Sequence, residues 1–119
     1  MLRTAVIADD HCGFRATARL LLEDAGFEVI GEVADGAGAL STVAALRPSL
    51  LLLDVQLPDT DGFSVAAGLA KTTPGTVVVL TSVRRAAEFG DRLANSPAAF
   101  IPKVELSGDA LVTIVKGGE

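Results

Sequence analysis

The feature that most constrains the fold is a regular alternation of short apolar runs with longer segments whose apolar residues recur at helical spacing. Five apolar runs, four of them continuous, are bounded by polar or turn residues, which is typical of buried strands. They lie at residues 5–8, 27–33, 50–53, 77–80 and 98–101. Strands that are apolar on both faces predict a parallel sheet with helices on each side.

Five segments with helical periodicity separate or follow these runs. They lie at residues 14–25, 36–46, 63–70, 84–94 and 111–115, and the second and fourth have the weaker apolar stripes. Turn residues agree with this division, because Gly26, Pro48 and Pro74-Gly75 follow the first three segments. Ser107 is placed to cap the last helix, and Gly117 to stop it. The alternation therefore predicts an open, doubly wound α/β domain with five strands and five helices.

Composition and charge exclude several classes of protein. The chain has 119 residues, enough for one domain, and half of them are hydrophobic, which argues against disorder. A net charge of −5 argues against direct binding of nucleic acid, which usually requires a basic surface. Cys12 is the only cysteine and has no partner for an internal disulfide. No secretory signal or membrane span is visible, so we expect a cytoplasmic protein.

The polar residues that follow the strands are the candidates for a functional site, because the carboxyl ends of parallel strands meet at one edge of a sheet. They are Asp9, Asp10, Asp54, Thr81, Ser82 and Lys103. Three carboxylates brought together repel one another unless a cation lies among them, and one lysine is not enough. Mg²⁺ fits this set best, because it takes carboxylate oxygens and leaves room for a phosphoryl oxygen.

Other kinds of site lack their motifs. The chain has no phosphate-binding Gly-x-x-x-x-Gly-Lys loop, and Gly36-Ala-Gly38 lacks the remainder of a dinucleotide motif. His11 is the only histidine, and no Gly-x-Ser-x-Gly elbow supplies a serine nucleophile. What remains is a carboxylate that acts as a nucleophile toward phosphorus, with a metal ion and a lysine stabilising charge.

Taken in order, these residues resemble the receiver domain of two-component response regulators, and the resemblance covers essentially the whole chain. Its segments are Asp9-Asp10, the run from Asp54 to Gly62, Thr81-Ser82 and Pro102-Lys103. The Asp-Asp-His start and the Ala-Phe-Ile-Pro-Lys end look most like receivers of the NarL/LuxR type. The resemblance implies a flavodoxin-like five-stranded parallel sheet in strand order 2-1-3-4-5, with residues 1–119 forming a single receiver domain.

The resemblance also implies the roles of the acidic residues. Asp54 would accept a phosphoryl group from a histidine of a sensor kinase. Asp10 and Asp54 would ligate Mg²⁺ directly, together with the backbone carbonyl of Gln56, and Asp9 would hold the ion through water.

Three further residues would respond to the phosphoryl group. Lys103 would pair with Asp54 before phosphorylation and with the phosphoryl group afterwards. Thr81 would donate its hydroxyl to a phosphoryl oxygen, and Phe100 would occupy the switch aromatic position. The outcome would be a change in partner binding or in homodimer formation.

Several residues also have structural interpretations. Asp61 is expected to cap the third helix and Asp59 to be simply solvated, and His11-Cys12 is interpreted as structural, because two ligands alone do not hold a transition metal. Phe100 replaces the commoner tyrosine of the family, and its ring can also serve only as core. Val83, two residues past Thr81, is apolar and cannot orient an attacking water, which predicts slow self-dephosphorylation.

Three functions stay open at this point. The first is a non-enzymatic phosphoacceptor switch, which acts on DNA only through an output domain that this chain lacks or else works as a stand-alone phosphoryl relay. The second is a small phosphatase with an aspartate nucleophile, but that class has a second aspartate where this chain has Gln56. The third is an unphosphorylated interaction module, which the intact acidic set disfavours.

Overall fold

The computed structural model describes residues 3–118 and contains one five-stranded parallel sheet. Its strands are β1 (Arg3–Ala8), β2 (Phe27–Val33), β3 (Leu50–Asp54), β4 (Val77–Ser82) and β5 (Ala99–Pro102), in the spatial order β2-β1-β3-β4-β5. All four neighbouring pairs are parallel. The predicted flavodoxin-like fold and strand order are confirmed.

Within residues 3–118, five α-helices follow the strands. They are α1 (Cys12–Asp24), α2 (Gly36–Leu46), α3 (Gly62–Thr72), α4 (Asp91–Ala94) and α5 (Gly108–Gly118), with short 3₁₀ turns at Ala86–Glu88 and Lys103–Glu105. In the part of the chain that the structure describes, no helix is both long and apolar enough to cross a membrane.

The two faces of the sheet bury two separate apolar cores. Alternate strand residues such as Ile7 and Leu52 pack with α1 and α5, whereas Val6 and Leu53 pack with α2 and α3. All five residues of β3 are buried, because this central strand is covered on both faces. The continuous apolar run at its start is the direct sequence signature of that position.

The segment at residues 84–94 departs from the prediction of one helix. It forms a 3₁₀ turn at Ala86–Glu88 and a single helical turn, α4, and neither contains a buried residue. Gly90 lies between them at φ 54°, in the left-handed region that ends a right-handed helix. A weak apolar stripe therefore did not suffice to extend the helix through this glycine.

Helix ends largely follow the predicted signals. Gly26 has φ 96° just after α1, and the Asp61 and Ser107 side chains accept hydrogen bonds from backbone N–H groups in the first turns of α3 and α5, at 2.9 and 3.1 Å. The predicted stop at Gly117 is wrong, because α5 continues to Gly118. Gly118 lies so close to β4 that an added Cβ would be 2.6 Å from Val77 Cγ2, and this packing supports the last turn.

Candidate functional site

The polar residues predicted to converge do so at the carboxyl edge of the sheet. Asp9 directly follows β1, Asp54 ends β3, and Lys103 directly follows β5. Thr81 lies on β4 in register with Asp54. The strand order reverses between β1 and β3, so the site occupies the crevice where doubly wound sheets bind ligands.

The carboxylates form the centre of the site. Asp9 is fully buried and Asp54 is 6% exposed, whereas Asp10 is on the surface. One potential ligand atom from each of Asp9, Asp10, His11 and Asp54 lies within 4.8 Å of the others. Burial, reinforced by the nearby Asp9 carboxylate, raises the pKa of Asp54 to about 6. Three carboxylates so arranged form a donor set that suits a hard divalent cation such as Mg²⁺.

Lys103 contributes the positive charge among these carboxylates. Its Nζ donates to Asp9 Oδ2 at 2.7 Å and to Asp54 Oδ2 at 3.4 Å. The resemblance implied a pairing of this lysine with Asp54, which is present, but Asp9 is the closer partner. Asp9 is the more deeply buried of the two carboxylates. Its charge would therefore cost more free energy to bury if no cation were paired with it.

The loop between β3 and α3 places Gln56 beside the phosphoacceptor candidate. The Gln56 N–H donates to Asp54 Oδ1 at 3.2 Å, and Gln56 forms a β-bridge with Asp61. The Gly62 N–H donates to the Val55 carbonyl at 2.7 Å, which closes the loop on itself. One cleft of ≈ 180 Å³ is lined by residues that include Asp10, Asp54, Gln56, Val83 and Lys103.

Asp59 is exposed, as the sequence suggested, but it also has a structural role. Its carboxylate accepts hydrogen bonds from the N–H groups of Gly36 at 2.8 Å and Ala37 at 3.0 Å, the first two residues of α2. These two bonds hold the pKa of Asp59 below its ordinary value. The β3–α3 loop is therefore anchored to the N-terminus of α2. The bonded residues are more than twenty positions apart, and no local sequence motif predicts the contact.

Thr81 carries an unpaired hydroxyl. The residue is completely buried, and its Oγ1 is the single buried side-chain nitrogen or oxygen without a hydrogen-bond partner among the described residues. Its neighbour Ser82 differs, because Ser82 Oγ accepts from the Arg84 N–H at 3.0 Å. A buried hydroxyl without a partner is costly, which favours a ligand that completes it.

Phe100 lies half-buried on β5 and ends a row of three aromatic rings. Phe63 and Phe89 are edge to face at 5.5 Å between ring centroids, and Phe89 and Phe100 are edge to face at the same distance. The Arg92 guanidinium lies 4.7 Å from the Phe63 centroid and forms a salt bridge of 2.9 Å with Asp61. The sequence pattern identified neither this row nor the role of Arg92.

Comparison with known proteins agrees with this geometry. The family model described as the response regulator receiver domain matches residues 5–116. A Pseudomonas aeruginosa protein named as a transcriptional regulator is 34% identical over 108 residues, which are 90% of this chain and 52% of that protein. BvgA of Bordetella pertussis, named as a positive transcription regulator of virulence factors, is 39% identical over 107 residues, 88% of this chain and 51% of BvgA. The chain thus spans about half the length of both regulators.

Solved structures show the same fold. The signal receiver domain of NarL from Mycobacterium tuberculosis has a TM-score of 0.84 and 33% identity, with 98% of each chain covered. A CheY-like receiver domain protein of Methanospirillum hungatei has a TM-score of 0.82 and 24% identity, with 98% of this chain and 93% of that chain covered. The second match supports the fold alone.

Proposed function

This chain belongs to the response regulator receiver domain family of two-component signalling, and on that premise we propose that it is a phosphoacceptor switch whose acceptor is Asp54. The observation that carries the proposal is the buried, unpaired Thr81 hydroxyl, which is in register with Asp54 across neighbouring strands. An acceptor carboxylate, a movable hydroxyl and the Lys103 ammonium then converge on the place that a phosphoryl group would occupy.

The transfer step follows from this chemistry. An ionised Asp54 oxygen attacks the phosphorus of a phosphohistidine on a sensor kinase, a P–O bond forms, and the P–N bond breaks with its electron pair left on the imidazole. With a pKa of about 6, Asp54 is mostly ionised near neutral pH and is competent as a nucleophile.

Electrostatic stabilisation comes from the groups around Asp54. Lys103 is within hydrogen-bond distance of Asp54 and is positioned to balance charge on the transferred group. Asp10, Asp54 and the Gln56 carbonyl would hold Mg²⁺ directly and Asp9 through water, and the convergence of the three carboxylates supports this assignment. The bound ion would supply neutralisation of the negative phosphoryl oxygens.

The phosphorylated state would be read through Thr81 and Phe100. The Thr81 hydroxyl gains an acceptor when the phosphoryl group arrives, and Phe100 belongs to the ring row that supports residues 86–94. The altered surface would change binding to a partner or a second copy. The regulator names of its relatives support a receiver that controls a DNA-binding output domain lying outside these residues; the alternative is a stand-alone cytoplasmic relay.

The switch is proposed to be a receiver and not a turnover enzyme. We assign the phosphoacceptor domain to residues 1–119. Val83, which is 75% exposed at the cleft, offers no polar group to orient a hydrolytic water. The aspartyl phosphate is therefore expected to be long-lived.

Intact-mass measurement tests this function directly. Wild-type protein and Asp54→Asn are incubated with Mg²⁺ and a small-molecule phosphodonor, with Asp24→Asn as the control because Asp24 is an exposed carboxylate at the end of α1. One phosphoryl group is expected on the wild type and on the control, and none on Asp54→Asn. Adducts on the Asp54 variant, or repeated release of phosphate from a phosphomonoester, would contradict the proposal.

Thr81→Val separates acceptor chemistry from hydroxyl recognition. Valine keeps the shape of threonine but removes the unpaired hydroxyl, so the variant is expected to be at least as stable as wild type in urea. It is also expected to be phosphorylated more slowly, because the phosphoryl oxygens lose a donor. A variant that is less stable and equally reactive would show that Thr81 has only a structural role.

A further inference from the structure

Phe14 makes a contact that its place in the apolar stripe of α1 does not explain. Its ring packs partly buried against the core formed with α1 and α5. The same ring also contacts a residue of the site, because Lys103 Nζ lies over it at 4.0 Å from its centroid. At this distance an ammonium is attracted electrostatically to the negative face of the ring.

The ring completes the surroundings of the Lys103 ammonium. Asp9 accepts from Nζ at 2.7 Å and Asp54 at 3.4 Å, and the lysine side chain is only 13% exposed. An ammonium has three N–H donors and no acceptor, so two carboxylates leave part of its hydration unreplaced. The Phe14 ring face covers the ammonium and attracts it electrostatically, without a hydrogen bond.

We propose that Phe14 is a positioning residue that keeps the Lys103 ammonium at the site while the charges around it change. The inference rests on the proposed function, in which Asp54 becomes an aspartyl phosphate and the carboxylates engage a cation. The carboxylate contacts of Lys103 must then be exchanged. The attraction to the ring does not depend on those carboxylates, so it restrains Lys103 before, during and after transfer.

A purely structural role for Phe14 is the competing interpretation. Leucine supplies an apolar side chain for the α1/α5 core but has no negative ring face, whereas tyrosine retains both. Phe27 is the matched control, because it belongs to the same core and is 4% exposed. It starts β2 and pairs with Arg3 at the opposite end of the sheet, away from Lys103.

The contact itself is tested by NMR. The chain has only three lysines, Lys71, Lys103 and Lys116, so their side-chain resonances can be assigned from single substitutions. The protons near Lys103 Nζ are expected to be shifted upfield by the ring current in wild type and in Phe14→Tyr. This shift is expected to disappear in Phe14→Leu and to persist in Phe27→Leu.

The function is tested by the rate of phosphorylation at varied phosphodonor and saturating Mg²⁺, with folding checked by circular dichroism. Loss of a partly desolvated cation–π contact is expected to lower the maximal rate of Phe14→Leu about 3- to 20-fold, with little change in the half-saturating phosphodonor concentration. Phe14→Tyr is expected to be near wild type, as is Phe27→Leu, even where the latter lowers stability.

The outcomes separate the two levels of the proposal. A Phe14→Leu rate equal to wild type, a Phe14→Tyr rate as low as that of Phe14→Leu, or an equal loss in Phe27→Leu would overturn the positioning role while leaving the phosphoacceptor function intact. A wild-type chain that takes up no phosphoryl group on Asp54 would overturn both.

Discussion

The ionised form of Asp54 should destabilise the fold that contains it. Burial and the Asp9 carboxylate raise the Asp54 pKa from 3.8 to about 6, even though Lys103 lies close by. A raised pKa in the folded state means that folding favours the protonated acid. Asparagine mimics that neutral form and retains an oxygen for the Gln56 N–H, so Asp54→Asn should stabilise the protein in a chelator.

The size of the effect follows from the pKa change. The difference of about 2 between the folded and unfolded pKa values corresponds to an upper limit of about 3 kcal/mol at neutral pH, and contact with the water of the cleft reduces this to about 1–2 kcal/mol. The stabilisation that wild type gains from protonated Asp54 is fully present below the unfolded pKa of 3.8. It is lost as pH rises through about 6, so the advantage of the variant grows over that interval.

Urea unfolding followed by circular dichroism measures this difference. Wild type and Asp54→Asn are compared in a chelator from about pH 4 to about pH 7.5, and the more exposed Asp10→Asn serves as the control. Titrating groups far from Asp54 are common to both proteins and cancel in the difference, so the pH dependence that remains belongs to Asp54 and its coupled neighbours Asp9 and Lys103. An Asp54→Asn variant no more stable than wild type at about pH 7.5, or an advantage that does not vary with pH, would refute the reasoning.

Three further predictions concern contacts around the site. Lys103→Met should lower the free energy of urea unfolding by about 3 kcal/mol near neutral pH, because it leaves buried carboxylates without their cation, whereas Lys116→Met on the exposed face of α5 should change it little. Gly62→Ala should lower the thermal midpoint or prevent folding, because its Cβ would lie 2.6 Å from the last carbonyl oxygen of β3; Gly75→Ala, with nothing within 4 Å, should not. Asp59→Asn should lower the urea midpoint at neutral pH. Because the folded-state pKa of Asp59 is depressed, this difference in midpoint should shrink as pH falls and the wild-type carboxylate is protonated. A difference in midpoint that does not vary with pH would rule out a contribution from the Asp59 charge.

The sheet could be predicted from the sequence because the short, continuous apolar runs of its central strands fit few structures other than a buried strand. A run such as Leu50–Asp54 is apolar throughout and ends on a carboxylate, so both its burial and the direction of its polar end are specified locally. Since parallel strands share a carboxyl edge, the meeting of Asp9, Asp54 and Lys103 followed from topology alone. Their individual distances did not, and the preference of Lys103 for Asp9 depends on relative burial that only packing determines.

Contacts between distant segments were the part that the sequence could not supply. Asp59 caps a helix that begins more than twenty residues earlier, and an acidic residue in a polar loop looks the same whether solvated or capping. Phe89 and Arg92 lie in a stretch of weak periodicity, where propensity favoured a continuous helix. Gly90 interrupts the helix, because its positive φ changes the direction of the chain between the 3₁₀ turn and α4.

The segment at residues 86–94 is held by very little of the molecule. Neither of its short helical turns has a fully buried residue. Its contacts include the partly buried Phe89 and Leu93, which pack against one core, and the salt bridge of Arg92 with Asp61. Displacement of any of the other four helices would disrupt core packing, because each of them contributes buried residues. Here a change in the packing of the Phe89 ring would alter the surface that residues 86–94 form, while the buried residues of both cores could keep their places.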